Sequence, residues 1–177
     1  MQILASHLAQ MTILTFHNGR LLGSAGELIV DPDRLEVQAL HCRLLKPIKG
    51  KPVLLMRDIC EIGQDHILIG SEDDLVDARE VVRIEQLLNR PFRVLRKPVV
   101  TQSGHRLGIA DDFTISSTTF QLQRLYVRRT ILSSLTIGNT IIDRSQIIEV
   151  TPKRFVVREA VAKTKVMAAP VSARPLA

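Results

Sequence analysis

The chain has 177 residues, is 45% hydrophobic but only 3% aromatic with no Trp and one Tyr, and carries a net charge of +6. That length admits one medium domain or two small ones, and the core has to be aliphatic. No stretch reaches the roughly 18 apolar residues of a membrane span, and the opening MQILASHLAQMTILTF lacks the basic start and cleavage site of a signal peptide, so a cytoplasmic, soluble protein is expected.

Leu4, Leu8 and Met11 recur at helical spacing and predict a short helix at the start. HNG, ending at Gly19, is a hairpin turn, because Gly and a preceding Asn tolerate positive φ. Gly23 then opens a strand, where a missing side chain marks a bulge or a close backbone approach. VDPDR turns the chain into LEVQALHC, whose apolar alternation changes phase between Val37 and Leu40. A strand that shifts its buried face midway is one that bends. Short strands are predicted at 53–56, 59–63 and 66–70, with GQDH as a tight turn. Ser71 and Asp74 form a capping-box-like start, and Val81, Ile84 and Leu88 predict a helix over about 74–89 that Pro91 ends. Gly138 and Asn139 are expected to turn the stretch from Thr130 to Ile142. After about residue 160 the chain loses periodicity, gains Ala, Pro and Lys, and reads as a mobile tail.

The first half is echoed in the second. Residues 19–42 match 104–127 without a gap, and 6 of the 24 pairs are identical, among them Gly19/Gly104, Gly23/Gly108 and Ala25/Ala110. FQLQRLYV repeats the phase change of LEVQALHC, with Phe120 and Leu122 set against Leu125 and Val127. After a three-residue insertion, ICEIGQDHILI (59–69) faces IIEVTPKRFVV (147–157). A repeat of this length means two copies of one supersecondary unit. Two copies that bend at one place suggest small closed sheets, because bends let few strands form a barrel.

These residues resemble a known family. G-x-x-L-G, an apolar strand, an Asp-Pro turn and a second apolar strand, followed by VLLMRDICEIGQDHILI, look like the PRC-barrel domain. The second copy departs where Asp31-Pro32 becomes Ser116-Ser117 and where Gly63-Gln64-Asp65 becomes Thr151-Pro152-Lys153. The resemblance implies a mainly β chain of two tandem PRC-like barrels: 1–73, a linker helix at 74–90, a second barrel at 91–160 and a tail at 161–177. It implies docking modules without catalytic residues or cofactors. Family members include the cytoplasmic part of the photosynthetic reaction-centre H subunit and the C-terminal domain of a ribosome maturation factor.

No residue set argues for an enzyme. His17, His66 and His105 flank predicted turns, and no nucleophile–base order can be drawn from the sequence. The run Glu72-Asp73-Asp74 sits where a helix start wants acids, which explains it without a metal. Cys42 and Cys60 lie in apolar strand-like runs, have no CxxC partner and are expected as free buried thiols. Charge is the stronger signal. Residues 1–82 hold 8 Lys/Arg and 12 Asp/Glu, a net −4, whereas 83–177 hold 16 and 6, a net +10. Arg124, Arg128, Arg129, Lys153 and Arg154 are therefore the candidate contacts to a partner or to phosphate. The expected partner is a protein, or a second copy joined acidic unit to basic unit; RNA or the ribosome is the alternative. Single-strand binders usually add aromatic stacking platforms, which this chain hardly has.

Overall fold

The computed structural model describes residues 1–46, 48–90, 92–129 and 139–159. The chain enters through β1 (Gln2–Leu4) and one helical turn, α1 (Ala5–Leu8). It then forms β2 (Thr12–Thr15), β3 (Leu21–Asp31), β4 (Glu36–Leu44), β5 (Pro52–Leu55), β6 (Ile59–Ile62), β7 (His66–Ile69) and β8 (Leu75–Asp77). The helix α2 (Val82–Asn89) leads to β9 (Pro98–Thr101), β10 (Arg106–Ser116) and β11 (Leu122–Arg128). The described strands end with β12 (Asn139–Asp143), β13 (Ile147–Val150) and β14 (Phe155–Val157). The protein is mainly β.

The strands make two sheets of one topology. The first runs β6-β7-β2-β3-β4-β5 with β8 on the β5 edge; the second runs β13-β14-β9-β10-β11-β12 with β1 on β10. In both, a parallel pair (β2 with β7, β9 with β14) sits among antiparallel neighbours. The duplication read from the sequence is thus a duplication of strand order.

Each sheet must curl. β5 and β6 lie five strand positions apart, about 24 Å in a flat sheet, yet only Met56–Asp58 separate them in sequence. Three intervening residues bridge at most about 14 Å. The same holds for β12 and β13 across Arg144–Gln146. The bends come from paired irregularities. Register slips between Ala25 and Leu28 and between Ile29 and Val30 in β3 recur between Ala110 and Asp112 and between Thr114 and Ile115 in β10. Among the described residues no ladder joins the two edges of either sheet, so the expected closed barrels are curled sheets with an open seam.

The hairpin turns are as predicted. Gly19 and Gly104 hold φ of 63° and 86°. Thr15 and Thr101 accept the turn glycine's N–H on their carbonyls and the N–H of Arg20 or His105 on their hydroxyls. Gly23 and Gly108 are the close approaches: a Cβ there would run into the carbonyl oxygen of Arg43 or Arg128 on the neighbouring strand.

Two helix predictions are corrected. The N-terminal helix shrinks to α1, because residues 2–4 pair with β10 and Leu4 stays exposed. The helix expected over 74–89 begins at Val82. Ser71 and Asp74 do form a capping box, but on a 3-10 turn, and Leu75–Asp77 are captured by the β5 edge. A ladder competes well with a short helix there. The turn expected at Gly138 and the tail from residue 161 lie outside the described residues, and Asn139 begins β12.

The halves share one aliphatic core. Ile13, Val37, Leu40 and Leu54 of the first sheet belong to one buried cluster with Val99, Phe113, Leu125 and Phe155 of the second. The sheets also touch directly. Val37 N–H donates to Phe120 O (2.9 Å) and Leu122 N–H donates to Leu35 O (2.8 Å), about a bridge between Glu36 and Gln121. A second small cluster lies under α2, where Ile84, Leu87 and Ala78 cover Ile29, Ala39, Val53 and Leu55. The matching residues of the second copy are Thr114, Arg124, Ile141 and Asp143. Three of these four are polar, and α2 has no described counterpart over them.

Candidate interaction surfaces

The five basic residues singled out by charge fall into two groups. Arg124 and Arg128 stand two residues apart from Tyr126 on either side, on the solvent side of β11. Arg129 follows at its end. Lys153 and Arg154 are exposed in the β13–β14 turn. β10 and β9 lie between β11 and β14 in the sheet. The first group is also spoken for. Arg124 Nε lies 3.3 Å from Asp143 Oδ1, its ladder neighbour, and Arg128 Nε lies 3.2 Å from Asp111 Oδ1. Exposed pairs of this kind add little stability, but they offset two of the five charges offered to phosphate.

The remaining ionisable groups mostly hold the fold together. Asp31 is buried, and Arg83 of α2 reaches it at 2.5 Å. Burial pushes its carboxyl up, but Arg83 and the backbone N–H groups of Asp33 and Arg34 outweigh that and hold it below its ordinary value. Lys97, also buried, donates to the carbonyls of Thr151 (3.1 Å) and Pro152 (2.7 Å) and sits 4.3 Å above the Phe92 ring. It thereby ties the start of β9 to the β13–β14 turn. His7 Nε2 lies 2.6 Å from the Gln64 carbonyl and fastens α1 to the β6–β7 turn. Burial lowers the His41 pKa, with Glu27 opposing and Lys51 assisting.

The acidic run resolves the same way: Glu72 pairs with Arg20 at 2.5 Å, and Asp74 accepts the Ser71 N–H. Among the described residues, no three His, Cys, Asp or Glu side chains converge as metal ligands. Cys42 is buried and its thiol is pushed up to about 12 by desolvation. Cys60 corrects the expectation of two buried thiols, because it faces solvent on the edge strand β6.

Several concave features remain among the described residues, and two of them adjoin the join between the copies or an exposed apolar patch. A groove of about 500 Å³ runs between the copies, floored by Leu28, Val30, Leu95 and Phe113 and edged by an ion pair between Arg93 and Glu27 (2.9 Å). This pair joins the acidic half to the basic one.

The other feature lies at one end of the first sheet. Phe16, Leu21, Leu45 and Ile48 are 57%, 45%, 67% and 40% exposed. They come from the β2–β3 turn and the β4–β5 loop. Leu21 is beside Leu14 in the β2–β3 ladder, and Leu45 N–H donates to Leu22 O. Leu21 and Ile48 line a common pocket of about 170 Å³ with Leu22, Leu44 and Leu75.

The repeat supplies an internal comparison. Phe16 N–H donates to Ile69 O, as Gln102 N–H donates to Val157 O. Phe16 therefore corresponds to Gln102, and Leu21 to Arg106. The second copy builds a turn one residue shorter, and the equivalent strand start, from polar residues, so the topology does not require apolar ones here. This patch was not singled out from the sequence, although the repeat alignment already paired Leu21 with Arg106.

Among the described residues no helix is long and apolar enough to cross a membrane. No family model matches the chain, and no curated protein sequence matches it.

Proposed function

We propose that the chain is a non-enzymatic docking or scaffolding protein of a bacterial-type cytoplasm. On this reading its two curled sheets are tandem PRC-like barrels with open seams, linked by the segment that holds α2. The observation that carries the reading is the gathering of Phe16, Leu21, Leu45 and Ile48 at one end of the first sheet, where the second copy has Gln102 and Arg106 at matched positions. Exposed apolar residues that a fold does not need are best explained by what they touch. The ionisable side chains support a binding role over catalysis, since Asp31, Glu72 and Lys97 are engaged in bonds within the fold.

An RNA- or ribosome-associated role would draw on Arg124, Arg128, Arg129, Lys153 and Arg154. Two of these face carboxylates and the turn pair stands apart from them, so a continuous phosphate track is not favoured.

A photo-crosslinking residue placed at Leu45 of the full chain, expressed in its own cell, tests the reading. Discrete protein adducts that disappear with Phe16→Gln/Leu21→Arg are expected. Adducts to RNA, or none above those from a probe at Arg106, would overturn it.

A further inference from the structure

We infer that the pocket between Leu21 and Ile48 receives an apolar side chain from a partner-protein segment whose flank facing Lys46 and Lys49 is acidic. The inference rests on the docking reading and adds the chemistry of the partner.

Size comes first. At about 170 Å³ the pocket is well below the roughly 300–1,000 Å³ of small-molecule sites. It suits one anchoring side chain. Leu21, Leu22, Leu44, Ile48 and Leu75 make its wall, so the anchor is aliphatic or aromatic. Interfaces concentrate their energy in such a central apolar contact, ringed by groups that exclude water.

Charge fixes the rest. The sequence holds no Asp or Glu between Glu36 and Asp58, but it holds Arg43, Lys46, Lys49, Lys51 and Arg57, the last paired with Asp58 at 3.6 Å. Arg43 is used internally, donating to the Ala25 carbonyl at 2.9 Å. Lys51 belongs to the neighbouring groove with Glu27 and His41. Lys46 lines the pocket beside Ile48, and Lys49 follows in the same exposed loop. Neither lies within ion-pair distance of a carboxylate among the described residues. On the opposite rim Glu72 is neutralised by Arg20, while Asp73 and Asp74, the latter accepting the Ser71 N–H, keep their negative charge. The mouth thus offers an apolar centre with free positive charge on the Lys46–Lys49 side and negative charge on the Asp73–Asp74 side, so a matching segment is acidic on the flank that meets Lys46. Complementary charge across such a rim selects partners and speeds encounter.

The test pans a random-peptide phage library on the immobilised full chain, with the Phe16→Gln/Leu21→Arg variant as counter-selection. That variant carries the residues of the second copy, so its thermal unfolding midpoint is expected to match the parent. Enriched peptides are expected to share a Leu, Ile, Met or Phe flanked by Asp or Glu. Made as labelled synthetic peptides, they should bind about tenfold more weakly to Phe16→Gln/Leu21→Arg. They should bind at least about threefold more weakly to the surface variant Lys46→Glu/Lys49→Glu, and less tightly as salt rises.

Peptides without acidic residues, binding indifferent to Lys46→Glu/Lys49→Glu, or no enrichment would overturn the inference, while persisting protein adducts at Leu45 would leave docking in place. A sedimentation mass that doubles, and halves again in Phe16→Gln/Leu21→Arg, would assign the surface to a second copy and overturn the inference. Binding to phosphatidylserine vesicles that the same variant abolishes would assign it to a lipid surface and overturn it equally.

Discussion

Leu35 and Phe120 are mates in the repeat: both hold the left-handed backbone region, at φ of 51° and 55°, and each accepts a hydrogen bond from the residue two past the other. Such a conformation is uncommon for a branched or aromatic side chain and persists only where its surroundings over-determine it. Here the reciprocal bonds and the Glu36–Gln121 bridge do so. The arrangement is that of a two-fold contact between identical subunits, realised within one chain.

Because Leu35 is buried in the cluster that both sheets share, Leu35→Ala is expected to cost about 2–4 kcal/mol. Calorimetry should show one unfolding transition, moved as a whole. A variant that splits the transition in two would mean the halves unfold separately.

Gly23 and Gly108 predict a matched pair of effects. A methyl group at either position meets a carbonyl oxygen of the neighbouring strand, which has little room to yield. Gly23→Ala and Gly108→Ala should each destabilise by about 3 kcal/mol, the upper end of overpacking, as read from urea midpoints. A tolerated alanine at either site would refute the close approach.

The Asp31–Arg83 contact carries a pH signature. The folded-state pKa of Asp31 lies below its ordinary 3.8, so the unfolded chain takes up the proton first as pH falls. Its stabilisation is therefore complete above about pH 5 and is lost as pH drops through the folded-state value. Asp31→Asn should remove about 1–3 kcal/mol at neutral pH and flatten the acid limb of the stability profile. An unchanged limb would show that Asp31 titrates normally.

The thiols should differ. Cys60 is exposed, while Cys42 is buried with its pKa near 12, and the thiolate is the reactive form. A chromogenic disulfide reagent should titrate one thiol in the native protein and two after denaturation. Two fast native thiols would contradict the packing of β4.

Local chemistry was legible in the sequence where it depends on near neighbours. Gly19 and Gly104 marked their turns, and the phase change from Val37 to Leu40 marked a bend that appears as an extra residue in β4, Gln38, matched by Gln123 in β11. The helix start was misread because a capping box at Ser71 serves a 3-10 turn as well as an α-helix, and the β5 edge decided between them. The cross-strand mates of Arg124 and Arg128 became visible only with the ladder register, which set Asp143 opposite Arg124. The patch around Leu21 was hidden for a similar reason. A Leu in a strand, such as Leu21, is expected inside, and only its place at the sheet end leaves it exposed.

Native-state hydrogen exchange at the amides of Val37 and Leu122 tests the union of the two copies most directly. If the halves form one body about the Leu35–Phe120 contact, both amides exchange only through global unfolding, with the same free energy, and Leu35→Ala lowers both by the same amount. One amide protected while the other exchanges freely would contradict the shared core and the two-fold join.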